Sequence, residues 1–257
     1  MKFGIITCED GDNIGGEEGQ ANFMLQRFDN HDGSNPDNSN HDNRKHEWNV
    51  IHGVSGSLPT VEEMKNYNGF VICGAHYSVN DQHQWIRNLE NFVRDIDKNN
   101  RNSDKNTKLY GICFGHQLIA SAFGGKITRN SKLNFIFGSD KVSLDETVTG
   151  EKWFRDVFGE DQKHFTIMQS HGERVSEVPH NAVVCGRSER CDVEVLKYGD
   201  NILSSQGHPE FTEKFMKEVL MPSKTMLTDE EKEEAVREFP LADQDHMVQL
   251  VTNFLSQ

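Results

Sequence analysis

Apolar positions along this chain recur in two forms. Short unbroken runs, "KFGIIT" (2–7), "WNVIHG" (48–53), "GFVIC" (69–73) and "LYGIC" (109–113), have the length and composition of buried strands. Between them the apolar residues fall at helical spacing. Ala21, Met24, Leu25 and Phe28 stand at i, i+3, i+4 and i+7 and predict one helix. Trp85, Leu89, Phe92 and Ile96, flanked by Ile86 and Val93, predict a second over 82–97. The polar loop "KNNRNSDKNTK" follows it. Strands alternating with helices in this way predict an α/β fold, a central mostly parallel sheet flanked by helices.

The second half is patterned differently. "HFTIMQS" (164–170), "AVVCGRS" (182–188), "DVEVLKY" (192–198) and "ILSSQG" (202–207) read as short strands. Residues 212–257 read as a C-terminal helical extension. There "LTDEEKEEAVREF" opens on a Thr-x-x-Glu capping pattern at Thr228 and Glu231, and Met247, Val251, Phe254 and Leu255 mark a last amphipathic helix. Residues 29–47, "DNHDGSNPDNSNHDNRKHE", hold almost no apolar residue and predict a mobile surface insertion. Its His31, His41 and His46 follow no metal-ligand spacing, so solvated loop is the expected reading. No composition break divides the 257 residues, and a single domain over 1–257 is expected.

Charge and cysteine content narrow the partners. A net charge of −14 with no basic run excludes nucleic acid and anionic membrane surfaces as expected partners. The five cysteines, Cys8, Cys73, Cys113, Cys185 and Cys191, form no C-x-x-C pair, which argues against a disulfide framework or a zinc site. The first apolar run is short for a signal peptide, and no stretch reaches the ~18 apolar residues of a membrane span. A reduced, cytoplasmic protein is expected.

The stretch "GICFGHQLIASAF" (111–123) carries the candidate chemistry. Gly111 and Gly115 flank Cys113 in the G-x-C-x-G form of a nucleophile elbow, a sharp turn from strand into helix. There Cys113 would meet the unpaired N–H groups and dipole of a helix N-terminus, which favour thiolate. The N–H of Phe114 would face the same space as an oxyanion donor. Glycines also punctuate ordinary strand–helix junctions, and the pentapeptide alone leaves a buried filler cysteine equally open. "SSQGHPEF" (204–211) supplies partners: in an extended segment His208 and Glu210 project to one side, and Pro209 prevents helix there. Taken together the two stretches point to a Cys-His-Glu triad.

"GICFGHQ" with the distant "QGHPE" resembles the class I glutamine amidotransferase family. "VICGAHYSV" (71–79) stands like that family's oxyanion loop, and "QSHGERV" (169–175) like its substrate-side segment. The matched pieces span residues 2 to 211. Within that family the chain is most similar to stand-alone γ-glutamyl peptidases of plants and related eukaryotic proteins, through "CED", "GICFGHQ", "GGK", "SERCDVEV" (188–195) and "QGHPEF". The resemblance implies a flavodoxin-like class I amidotransferase fold. It also implies Cys113 as nucleophile, His208 as general base and then acid, and Glu210 as its orienter. The N–H groups of Ala75 and Phe114 would form the oxyanion hole, with Gly74, Gln117, Ser170 and His171 against the substrate. No cofactor and no metal are implied. One departure stands out: Ala75-His76 occupies the place where ammonia-transferring members usually carry Gly-Pro.

The expected activity is hydrolysis of a γ-glutamyl amide through a γ-glutamyl thioester. The substrate would be a γ-glutamyl peptide, such as a glutathione-type conjugate, or glutamine. The absence of a P-loop and of an evident synthase segment favours a hydrolase acting alone. A glutaminase subunit delivering ammonia to a separate synthase partner is the alternative. An answer of another class is a non-catalytic module binding glutamine or a γ-glutamyl peptide, which has no use for an intact triad. Selective alkylation of Cys113 near neutral pH would separate that module from an enzyme.

Overall fold

The computed structural model describes residues 1–30, 46–103, 105–130 and 135–257. Its strands are β1 (Lys2–Thr7), β2 (Glu47–His52), β3 (Gly69–Ile72), β4 (Lys108–Ile112), β5 (Lys126–Arg129), β6 (Ile136–Leu144), β7 (His164–His171), β8 (Glu173–Glu177), β9 (Val183–Arg187), β10 (Val195–Tyr198) and β11 (Ile202–Ser205). All but β5 and β8 form one nine-stranded sheet, ordered β2-β1-β3-β4-β11-β10-β9-β6-β7. From β2 to β11 the neighbours run parallel, and beyond β11 the sheet continues antiparallel. β5 and β8 pair separately.

Of the parallel strands, β1, β3, β4 and β11 are buried on both faces, as unbroken apolar runs predict, while the edge strand β2 is only partly buried. Alternation sorts their side chains. Phe3 and Ile5 of β1 and Tyr110 and Ile112 of β4 join one core with Met24, Phe28 and the C-terminal helix residues Met247, Val251 and Phe254. Ile6 and Leu109 face a second core, closed by Ile86, Leu89, Phe92, Val93 and Ile96 of the helix Gln84–Asn102 and by Leu118 of the helix Phe114–Ala122. Each such side chain contributes about 1.5–3 kcal/mol by leaving water. A third cluster, including Phe137, Met168, Phe211, Met216, Leu227 and Phe239, fastens the segment after Glu210 onto β6 and β7.

Several boundaries differ from the sequence reading. The second helix runs to Asn102, because Asn100 exchanges hydrogen bonds with the N–H and carbonyl of Thr107 and so holds the polar last turn in place. The first helix, Gly16–Asn30, extends through Asp29 and Asn30, and β2 begins at Glu47. His46 is buried with its ring 5.2 Å from that of Phe3, so both ends of the expected insertion are built into the fold; the rest of it, with His31 and His41, lies outside the described residues. β6 was not predicted, since it buries the polar Ser139 and Asp140, which are satisfied from afar by Glu238 and Arg190. The capping box at Thr228 and Glu231 is formed, opening the helix Asp229–Glu238. No helix among the described residues is long and apolar enough to cross a membrane.

Candidate active site

The parallel strands end on one edge of the sheet, where such folds place their ligands. β4 delivers Cys113, β3 delivers Gly74 and Ala75, β1 delivers Cys8 and Glu9, and β11 delivers Gln206 and His208.

Cys113 is the one described non-glycine residue with positive φ (φ 50°, ψ −97°), a strained conformation at the turn from β4 into the helix Phe114–Ala122. Both flanking glycines are required by close approach. A Cβ on Gly115 would lie 2.3 Å from the carbonyl oxygen of Ile72, and one on Gly111 would lie 2.7 Å from the carbonyl of Gly115. Phe114 is the first residue of the helix, where the N–H has no intrahelical acceptor. Ala75 and Phe114 line a cavity together with Cys113.

His208 and Glu210 stand beside the cysteine. His208 Nδ1 bonds Glu210 Oε1 at 2.9 Å, with both side chains nearly buried. The imidazole stacks flat on Phe211, centroids 3.8 Å apart and planes 5° from parallel. The backbone N–H of His208 donates to the Met168 carbonyl at 2.8 Å, pinning this turn to β7 next to Ser170. Burial works against a charged imidazole here, but Glu210 and Cys113 outweigh it and push the pKa up to about 10. Gly74 leaves room for this pair: a Cβ there would come within 2.9 Å of His208 Cε1 and 3.7 Å of Cys113 Cβ.

Gln117, Ser170 and His171 also reach the cavity around Cys113. Gln117 donates to the Glu173 carbonyl at 2.9 Å and to Gln206 Oε1 at 3.1 Å. Gln206, fully buried, turns its amide toward Cys113 Sγ at 3.6 Å. His171 is buried, bonds the Glu173 carbonyl through Nδ1 at 2.9 Å, and has its pKa pushed down to about 3, chiefly by burial. It is neutral at physiological pH. His116 lies away from the cavity, fully buried against Ser204 Oγ at 2.8 Å. The remaining cysteines are free and buried, and burial raises each of their thiol pKa values.

The sequence reading missed the residues that hold the loops in register. Gln20 accepts from the N–H groups of Cys8 and Glu9 and donates to the Gly74 carbonyl at 2.8 Å. Glu9 accepts from the His76 N–H at 2.9 Å and bonds its ring, and Tyr77 donates to Asp10. A proline at position 76 could not donate that N–H, so His76 ties this loop to the segment that follows β1. Glu9, Asp10 and His76 bring ligand-type atoms within 4.8 Å of one another. The bonds just described already account for their arrangement. Phe211, Gln206 and Lys224, which borders the cavity from the C-terminal segment, were likewise not singled out.

Comparison with known proteins agrees with this architecture. The description "Glutamine amidotransferase class-I" matches residues 43–225. Gamma-glutamyl peptidase 4 of Arabidopsis thaliana is 31% identical over 174 residues, covering 68% of this chain and 66% of that protein, just under two thirds of its length. A glutamine amidotransferase-like protein of Schizosaccharomyces pombe is 30% identical over 219 residues, covering 81% of this chain and 83% of its own. The crystal structure of a glutamine amidotransferase from Thermotoga maritima superposes with a TM-score of 0.68 at 17% identity, over 99% of this chain and 96% of that one, a likeness of fold. With more than half its length matched and an elbow cysteine at the end of its parallel strands, the chain belongs to the class I glutamine amidotransferase family.

Proposed function

We propose that this protein hydrolyses γ-glutamyl amide bonds, with Cys113, His208 and Glu210 as its catalytic triad. The observation that carries the reading is the strained elbow at Cys113 beside a buried His208–Glu210 pair. A histidine oriented by a carboxylate beside a thiol at a strand-to-helix turn is the arrangement of an activated cysteine nucleophile.

The thiolate attacks the γ-carbonyl, and a C–S bond forms. The oxyanion accepts hydrogen bonds from the N–H groups of Ala75 and Phe114. His208 gives its proton to the nitrogen as the C–N bond breaks and the amine departs. Water then attacks the thioester, His208 takes its proton, and breaking of the C–S bond releases glutamate and restores Cys113. Glu210 holds the imidazole in position throughout. Gln117, Ser170 and His171 wall the glutamyl side. Five unpaired, buried cysteines accord with a reducing, cytoplasmic setting.

The likeness to γ-glutamyl peptidases supports a peptide substrate over glutamine. The test is glutamate release by the purified chain from a γ-glutamyl peptide and from glutamine in parallel. Turnover of the peptide, lost in Cys113→Ala, is expected. Turnover of glutamine alone would instead identify a glutaminase subunit serving a synthase.

A further inference from the structure

Cys113 stands where two cavities meet. Ala75, His76, Ser170 and Lys224 border both; His208 and Glu210 border only a smaller one of about 100 Å3, Gln117 and His171 only a larger one of about 760 Å3. His208 must protonate the departing nitrogen, so the leaving amine lies on the His208 side. The smaller cavity is then the leaving-group chamber, an assignment that rests on the γ-glutamyl hydrolysis proposed above.

Its walls are apolar, built by Ile14, Phe23, Met24, Phe211, Phe215 and Leu220. Three charged side chains besides His208 and His76 border it, and two of them are engaged. Glu210 holds His208, and Glu9 accepts from the N–H groups of Gly11 and His76. The third, Lys224, is half-buried, places its ammonium 4.9 Å from the centre of the Phe135 ring, and makes no ion pair among the described residues. Burial lowers its pKa, opposed by Cys113 and Glu9, as expected for a cation set in poorly solvated surroundings.

We propose that Lys224 pairs with the free carboxylate of the leaving amino acid while the apolar walls take its side chain. The preferred substrates are then γ-glutamyl dipeptides ending in an apolar residue. In such a dipeptide the carboxylate carbon is two bonds from the scissile nitrogen. It therefore stays beside Cys113, where Lys224 borders both cavities. Glutamine has no carboxylate there, and a tripeptide presents a neutral carbonyl in its place.

The test compares kcat/KM for γ-glutamyl-leucine, γ-glutamyl-leucinamide and glutamine. A charge-assisted bond corresponds to a preference of about tenfold to a hundredfold for the leucine over the leucinamide substrate. Lys224→Met is expected to bring that ratio close to one, and Lys224→Arg to retain most of it. Because the ratio is internal to each variant, partial loss of folded protein does not alter it. An equal fall on both dipeptide substrates in Lys224→Met would place the lysine on the glutamyl half and overturn the proposal. So would a wild-type chain that does not distinguish leucine from leucinamide while releasing glutamate from both. Cys113-dependent release from none of the three would remove the hydrolase reading itself, and this inference with it.

Discussion

At the scale of single residues, the site is a set of groups whose charges depend on one another. His208 is held protonated by Glu210 and Cys113 against the effect of its burial. Glu210→Gln removes the nearest carboxylate and leaves burial, which lowers an imidazole pKa. Loss of the imidazolium as pH rises should therefore occur earlier. The alkaline limb of the kcat/KM profile is expected to move to lower pH, together with a fall in rate; an unmoved limb would show that Glu210 does not set the imidazole. Cys113, His208 and Glu210 could be read from the sequence because each sits in a short stretch whose local geometry is nearly forced. Gln206, Gln20 and Lys224 could not. Gln20 reaches the Gly74 carbonyl 54 positions away and Gln206 reaches Cys113 93 positions away, and no local pattern announces such pairings.

Elements bring these residues together through close backbone approach. Gly74 follows β3 and faces both the His208 imidazole and Cys113. The His208 ring has little room to yield, being stacked on Phe211 and bonded to Glu210. Gly74→Ala is therefore expected to lower kcat about 100-fold, the usual result of displacing a catalytic group by about 1 Å, with little change in the thermal midpoint. Retained activity would mean that the loop has more freedom than its ties to Gln20 and Glu9 imply. The buried parallel strands were legible because their residues are apolar on both faces. β6 was not, since Asp140 there is compensated by Arg190, 2.8 Å away but distant in sequence. The helix Gln84–Asn102 outran its apolar stripe for a similar reason, its last turn being secured by side-chain bonds to Thr107.

Across the whole molecule, the C-terminal segment both closes the core and reaches the site. Phe254 is buried against Trp153 and Tyr110, the latter on the strand that carries Cys113. Phe254→Ala should cost about 3–5 kcal/mol of stability, measurable as a lower urea midpoint. A loss under about 1 kcal/mol would mean that the helix is not part of the cooperative unit. Arg27 links the first helix to the same assembly, donating to the carbonyls of Glu210 at 2.8 Å and Gln244 at 3.1 Å. Helices from both ends of the chain thus support the turn that presents His208 and Glu210. In the proposed reaction the sulfur of Cys113 is the atom acylated in turnover. The most direct measurement is peptide mass spectrometry of the wild-type chain, acid-quenched during turnover of a γ-glutamyl peptide. A mass increase of one glutamyl acyl group is expected on the peptide containing Cys113, absent in Cys113→Ser. Glutamate released at an undiminished rate by Cys113→Ser, or an acyl group on any other residue, would contradict it.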